Sequence, residues 1–166
     1  MNNQLLFTES QKFRQWWLML MLLIANSFVV YGILNSVIIF HRSIIESNLI
    51  IVVCIMLLFN ILLFLLRLDT MIKIDGIYVR YFPFQRKYKY FAWESISTSY
   101  VKRYSPILEY GGWGIRYGIF GNGKAYNVSG NIGLQLEFTN NKRLLIGTKK
   151  SEELIAVLTE IGKLKQ

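Results

Sequence analysis

The 166-residue chain has one cysteine, one histidine and two long stretches without any charged side chain. Cys54 lies within an apolar run, so the sequence predicts neither a disulfide framework nor a thiolate metal site. With His41 as the only histidine, neither a histidine metal cluster nor a Ser-His-Asp triad can be assembled within one chain. These absences exclude several classes of enzyme, and we expect no metal and no cofactor.

Charged residues are absent from two long apolar runs. Residues 15–41 and 47–66 contain no aspartate, glutamate, lysine or arginine. A helix that crosses a bilayer core needs ~20 predominantly apolar residues, and both runs supply them. We therefore predict a first transmembrane helix over residues 16–40, a short outer loop over 41–48 and a second transmembrane helix over 49–66. A buried helical hairpin of a soluble protein is the alternative.

Basic residues are distributed asymmetrically around these runs. Lys12 and Arg14 precede the first run and further basic residues follow the second, whereas the predicted loop carries one arginine and one glutamate. Lysine and arginine near the ends of spans favour the cytoplasmic side. We therefore expect an integral protein of the plasma (inner) membrane with both termini cytoplasmic. Residues 1–15 would form a cytoplasmic N-terminal segment, and residues 67–166 a cytoplasmic domain.

Few polar residues interrupt the apolar runs. In an antiparallel hairpin Asn26 and Asn60 fall at similar depth, so we predict a hydrogen bond between their side chains. Gly32 and Ser36 form a small-xxx-small pair that is expected to allow close approach of the helices. Transport paths usually use ionisable residues, which both runs lack, so helix packing is favoured over transport.

After residue 67, polar and apolar residues alternate with a period near two, which is typical of half-buried β-strands. An Asp75-Gly76 turn predicts a hairpin between the first two strands. The predicted strands cover residues 70–74, 77–82, 88–92, 97–104, 124–128, 132–138 and 143–146. The domain is thus expected to contain seven or eight short antiparallel strands.

The last segment has helical periodicity. Leu154, Leu158 and Ile161 recur on one helical face, which predicts a helix over residues 152–165 that packs this face on the strands. Ser151 is the expected N-cap. The sequence therefore predicts an α+β membrane protein, in which a transmembrane helical hairpin precedes strands closed by a C-terminal capping helix.

This order of strands and one final helix resembles the pleckstrin-homology-like (PH-like) fold, an antiparallel β-barrel or sandwich. Three segments, Tyr110–Arg116, Ala125–Gly130 and Leu145–Thr148, are similar to the signature of uncharacterised small bacterial membrane proteins. Those proteins have two N-terminal transmembrane helices and a PH-like C-terminal domain. The resemblance implies a fold and a location for this chain, and it implies no activity and no catalytic residue.

Glycine is frequent between residues 110 and 123. A dinucleotide fingerprint would place G-x-G-x-x-G between a strand and a helix, and no helix is predicted here. Turns and bulges that need positive φ are the favoured interpretation, with a binding loop as the alternative.

The excess of basic residues is the most informative feature of residues 67–166, which contain 16 Lys+Arg against 8 Asp+Glu. Each base near an anionic leaflet contributes about 1 kcal/mol to membrane binding. Bases alternate with aromatic residues in two segments. Their candidate lipid-binding residues are Arg86, Lys87, Lys89, Lys102 and Arg103. Nucleic acid is the competing polyanion, but the tether makes the membrane surface nearer, so we expect no nucleic-acid partner. Charge that only enforces topology and solubility is the simplest alternative.

No pair of acidic residues has a spacing that indicates a general acid and base. We therefore expect a non-catalytic, membrane-anchored interaction or scaffold module at the inner face of the plasma membrane, with an unidentified protein partner. The alternative function is recognition of anionic lipid head groups by the basic surface. An enzyme or enzyme subunit acting on lipid is a third hypothesis, for which the sequence offers no catalytic set.

Overall fold

The structure, a computed structural model, describes residues 4–39, 49–118 and 121–164. The predicted outer loop over 41–48 lies outside the described residues. The chain divides into two compact units. One contains residues 13–65, and the other combines residues 1–12 with residues 66–166.

The first unit is helical. Helix α1 spans Trp16–Leu34 and continues as a π-helical turn over Asn35–Ile39, and α2 spans Leu49–Leu65. Among the described residues one helix, Trp16–Ile38, is long and apolar enough to cross a membrane, and the apolar helix Ile50–Leu65 is shorter. At 1.5 Å per residue, a helix of 17 residues reaches about 25 Å, slightly less than the ~30 Å of a bilayer core.

The predicted hydrogen bond between the two helices is confirmed. Asn60 Nδ2 donates to Asn26 Oδ1 at 3.1 Å and to the carbonyl oxygen of Met56 at 3.0 Å. The predicted close helix approach at Gly32 is not observed among the described residues, because a Cβ atom added there would have no neighbour from another described element within 4 Å. The contact between the helices therefore uses the amide pair and not a seam at this glycine.

The second unit contains two β-sheets. The strands of the first sheet, in their spatial order, are β1 (Leu5–Lys12), β2 (Arg67–Lys73), β3 (Gly76–Phe82) and β4 (Lys89–Ala92). All neighbouring pairs in this sheet are antiparallel. Strand β1 was not predicted, since Glu9 and Gln11 occupy inward positions that normally carry apolar side chains.

The pairing of β1 with β2 brings together the chain segments that flank the helical segment. It precedes α1 in the chain, whereas its partner β2 follows α2 almost immediately. In the β1–β2 ladder Lys12 is opposite Arg67 and Ser10 is opposite Asp69. The Ser10 hydroxyl also donates to Asp69 Oδ1 at 2.7 Å. The chain thus leaves the sheet at Lys12 and returns to it at the neighbouring position.

Two buried polar side chains attach β1 to the end of the second sheet. Glu9 accepts hydrogen bonds from the Thr148 hydroxyl at 2.7 Å and from the Lys149 backbone N–H at 2.8 Å. Gln11 Nε2 donates to the Gly147 carbonyl at 2.6 Å. Because buried polar groups need partners, these bonds explain the polar residues on the inner face of β1.

The predicted hairpin between β2 and β3 is confirmed, with its turn one residue earlier than expected. Lys73 pairs with Gly76, so the turn consists of Ile74 and Asp75. A Cβ atom at Gly76 would lie 2.8 Å from Cε2 of Tyr90 on β4. This glycine is therefore needed for the close approach of the neighbouring strand.

The second sheet has five strands in the spatial order β5-β8-β9-β7-β6. In chain order they are β5 (Ile96–Arg103), β6 (Gly114–Tyr117), β7 (Lys124–Asn127), β8 (Ile132–Phe138) and β9 (Arg143–Gly147). Its pairs are antiparallel except for the parallel pair of β7 and β9. That parallel pair departs from the predicted antiparallel fold.

Strand β6 lies within the glycine-rich region for which turns and bulges were predicted, and a short helix, α3 (Pro106–Tyr110), precedes that region at residues for which no element was predicted. Ser105 caps α3, proline occupies its first turn, and Gly111 ends it in the left-handed region at φ 67°. These are the ordinary start and stop signals of a helix.

The inner faces of the two sheets contact each other. The rings of Phe91 and Phe138 lie 5.4 Å apart, and those of Tyr81 and Tyr126 lie 6.5 Å apart, measured between their centres. The sheets do not close into a barrel. Of the two predicted arrangements, the described strands do not form a closed barrel, and the ring contacts between the two sheets agree with a sandwich.

Helix α4 (Ser151–Glu160) buries Leu154 and Leu158, as predicted. It ends earlier than predicted, and Ile161 lies just beyond it. Ser151 is not the N-cap, which is Lys150 without a side-chain bond. Instead the Thr148 hydroxyl accepts a hydrogen bond from the Lys150 N–H at 3.0 Å, so a residue before the helix supplies its acceptor.

Candidate functional site

The structure does not bring the five predicted basic residues together. Lys102 and Arg103 lie on β5, an edge strand of the second sheet. Lys102 Nζ lies 3.5 Å from Glu109 Oε2, so its charge is already partly compensated. Lys89 lies on β4, in the other sheet.

Arg86 and Lys87 are exposed in the turn between β3 and β4. That turn begins directly after Phe82, which is opposite Arg67 in the β2–β3 ladder. The turn therefore extends the end of the sheet at which the apolar helices join the chain. Phe84 in the same turn is 65% exposed, so the turn carries an exposed apolar ring as well as two exposed charges.

The alternation of bases and aromatic residues produces contacts within the first sheet. The Arg80 guanidinium lies 4.4 Å from the centre of the Tyr88 ring, and Lys73 Nζ lies 4.8 Å from that of Tyr78. Exposed cation–π contacts of this kind contribute about 0.5–1 kcal/mol each. These aromatic side chains stabilise the outer face of the sheet.

Lys89 points to the inner face of the first sheet and lines a groove of about 500 Å³. We call this groove the basic groove. Its lining residues are Lys89, Tyr90, Phe91, Ala92, Ser95, Lys124, Tyr126, Phe138, Asn140, Lys142, Arg143 and Leu144. They come from both sheets and include four basic residues and no acidic one.

Tyr126 is the centre of the polar side of the basic groove. Its hydroxyl oxygen accepts hydrogen bonds from Lys89 Nζ and from Gln85 Nε2, both at 3.2 Å. Lys124 Nζ lies 5.1 Å from the centres of the Tyr126 and Tyr117 rings. Residues of β4, of β7 and of the turn before β4 thus meet at one phenol.

These contacts change the pKa values of Tyr126 and Lys124. Burial alone would raise the pKa of Tyr126, but donors from Gln85, Lys124 and Lys89 outweigh it and lower the pKa. Burial would lower the pKa of Lys124, whereas its interactions with Tyr126 and Tyr117 raise it. The donors around Tyr126 therefore stabilise its deprotonated form relative to a free tyrosine, and the neighbouring phenols stabilise the charged form of Lys124.

The lysines of the basic groove have no acidic partner in the part of the chain that the structure describes. No carboxylate of a described residue lies within 4 Å of the Nζ atoms of Lys89, Lys124 or Lys142. In contrast, Arg143 Nε lies 3.3 Å from Glu137 Oε1. A concave surface with uncompensated positive charge concentrates anions.

The alternation of bases and aromatic residues predicts Lys89 as a site residue, but it does not indicate Lys124, Tyr126 or Lys142. The period of two along β7 places Lys124 and Tyr126 on one face, which was a usable signal. The missing information was the pairing of the two sheets, because no local pattern brings β4 opposite β7.

Among residues 4–39, 49–118 and 121–164, no group of three or more His, Cys, Asp or Glu side chains could hold a metal ion. Comparison of the chain with protein-family models, with curated proteins and with solved structures finds no match. The resemblance to bacterial membrane proteins with a PH-like domain stays a prediction.

Proposed function

We propose that the chain is a non-catalytic, PH-like interaction or scaffold module, anchored in the plasma membrane by a transmembrane hairpin of α1 and α2. Its sheet unit lies at the cytoplasmic face and meets a protein partner there. The observation that carries this proposal is the pairing of Lys12 with Arg67.

The pairing restricts the topology of the anchor. Because Lys12 and Arg67 are neighbours in one sheet, the chain before α1 and the chain after α2 lie on the same side of any membrane. The helical segment must then cross the membrane an even number of times, which agrees with two spans. An arrangement with the two termini on opposite sides would break the β1–β2 ladder.

The basic residues indicate which side this is. Lys12, Arg14 and Arg67 adjoin the helices in sequence, and lysine or arginine at such positions favours the cytoplasm. Labelling of single cysteines from each side of the membrane tests the arrangement. The 41–48 loop is expected to react from outside, and the sheet unit only after permeabilisation.

Recognition of anionic lipid is the second candidate function, and the turn between β3 and β4 favours it. Arg86, Lys87 and the exposed ring of Phe84 lie together at the end of the sheet that continues into the apolar helices. Aromatic rings and basic side chains are the residues that membrane interfaces attract. The turn is therefore suited to an anionic bilayer surface.

Replacing Arg86 and Lys87 together with glutamine is expected to weaken binding to anionic vesicles about 30-fold, from about 1 kcal/mol per basic residue. Sedimentation with vesicles measures this on a chain in which an Asn-Gly turn joins residues 1–12 to residues 67–166. The matched control replaces Lys102 and Arg103 with glutamine, which removes the same charge from β5. Equal weakening by both pairs, or equal binding to neutral vesicles, would contradict a lipid site at the turn.

A further inference from the structure

We propose that the basic groove binds a phosphate ester that carries an apolar group. This binding function goes beyond membrane anchoring and does not depend on the topology of the helices. It concerns Lys89, Lys124 and Lys142, three residues that line one groove and whose Nζ atoms have no carboxylate of a described residue within 4 Å.

The positive charge of the groove favours a phosphate over a carboxylate. A phosphate monoester carries about −1.5 to −2 charges at pH 7 and three strong acceptor oxygens, whereas a carboxylate carries a single charge. Lysine binds phosphate as a point charge without the planar geometry that arginine requires. Lys89 has three N–H donors, and its hydrogen bond to Tyr126 uses one of them. Three lysines therefore fit a phosphate better than a carboxylate.

The other lining residues of the groove include apolar side chains, which favour an apolar substituent on that phosphate. Phe91 and Phe138 lie 5.4 Å apart across the gap between the sheets, and Ala92 and Leu144 extend this wall. A volume of about 500 Å³ lies within the range of roughly 300–1,000 Å³ that is usual for small-molecule sites. Inorganic phosphate would leave the apolar wall uncovered.

Isothermal titration calorimetry on the full chain in a neutral, phosphate-free detergent tests the proposal, with phenyl phosphate as the probe. We expect phenyl phosphate to bind at least about tenfold more tightly than inorganic phosphate, because its ring covers the apolar wall. Phenol, which lacks the charge, is expected to show no saturable binding. Inorganic phosphate that binds as tightly as phenyl phosphate would overturn the proposal.

Charge removal provides the second comparison. Lys142→Gln, at an exposed side chain, is expected to weaken phenyl phosphate binding about tenfold. Lys89→Gln combined with Lys124→Gln should weaken it about 100-fold. Lys149→Gln removes the same charge at an exposed position outside the groove and is expected to change nothing. Because the Lys142 side chain is exposed, its variant remains informative even if the double variant fails to fold.

The source of the phosphate ester is distinguished by competition. Displacement of phenyl phosphate by phosphatidic acid added to the micelles would assign the groove to a lipid head group, and no displacement would assign it to a soluble ester. Both results keep the site. Equal binding by the wild type, the Lys142→Gln variant and the Lys149→Gln variant would overturn it, whatever cysteine labelling shows about the membrane anchor.

Discussion

A chain that begins at residue 67 is expected not to fold, although it contains the whole of the second sheet and most of the first. Without β1 the chain loses the buried ring of Phe7, which is 2% exposed, and the edge of β2 is uncovered. It also loses the bonds of Glu9 and Gln11 to the segment before α4. Truncation of one buried phenylalanine typically costs ~3–5 kcal/mol, against a total stability of about 5–15 kcal/mol for a small domain.

Circular dichroism and urea unfolding measure this expectation, and the β1–β2 register supplies the control. Since Lys12 is opposite Arg67, an Asn-Gly turn can join them in place of residues 13–66. This joined chain is expected to unfold cooperatively, whereas residues 67–166 alone should show no transition. Within the joined chain Phe7→Ala should cost ~3–5 kcal/mol, and Leu5→Ala, at a position 50% exposed, at most about 0.5 kcal/mol. Equal stability of both chains would show that β1 is dispensable.

Leu158→Ala is expected to lower the free energy of unfolding of the joined chain by ~2–5 kcal/mol. The Leu158 side chain is completely buried under α4, and its removal leaves a cavity between the helix and the strands. Ile155→Ala in the same helix is the matched control, because Ile155 is 38% exposed. Urea unfolding measures both variants. Similar losses from the two substitutions would contradict the packing face assigned to α4.

Local periodicity predicts the elements that bury apolar residues on one face. Helix α4 and strands β2 and β3 follow this rule. Strands β7 to β9 were also predicted near their observed positions, although their consecutive buried residues show that both of their faces are covered. Strand β1 departs from the rule because its inward residues Glu9 and Gln11 are polar, and their partners lie more than 130 positions away in sequence. A single sequence carries no local signal for such partners.

The candidate site residues also show which features the local sequence can predict and which depend on the packing of the sheets. Lys89 was recognisable as a basic residue among aromatic neighbours, but its contact with Tyr126 depends on how the two sheets pack. Arg86 and Lys87 were grouped with Lys102 and Arg103 by composition, although the structure places the first two in a turn between strands of the first sheet and the other two on β5 of the second. Composition therefore indicated the charge of the domain, and sheet pairing determined which charges act together.

Labelling with a membrane-impermeant maleimide tests the proposed anchor most directly. In a Cys54→Ser background, one variant carries Ser43→Cys in the predicted outer loop, and another carries Lys149→Cys at an exposed position of the sheet unit. We expect the first to be labelled in intact spheroplasts and the second only after permeabilisation. Labelling of the Lys149→Cys variant in intact spheroplasts, or protection of the Ser43→Cys variant until permeabilisation, would contradict a two-span anchor with a cytoplasmic sheet unit.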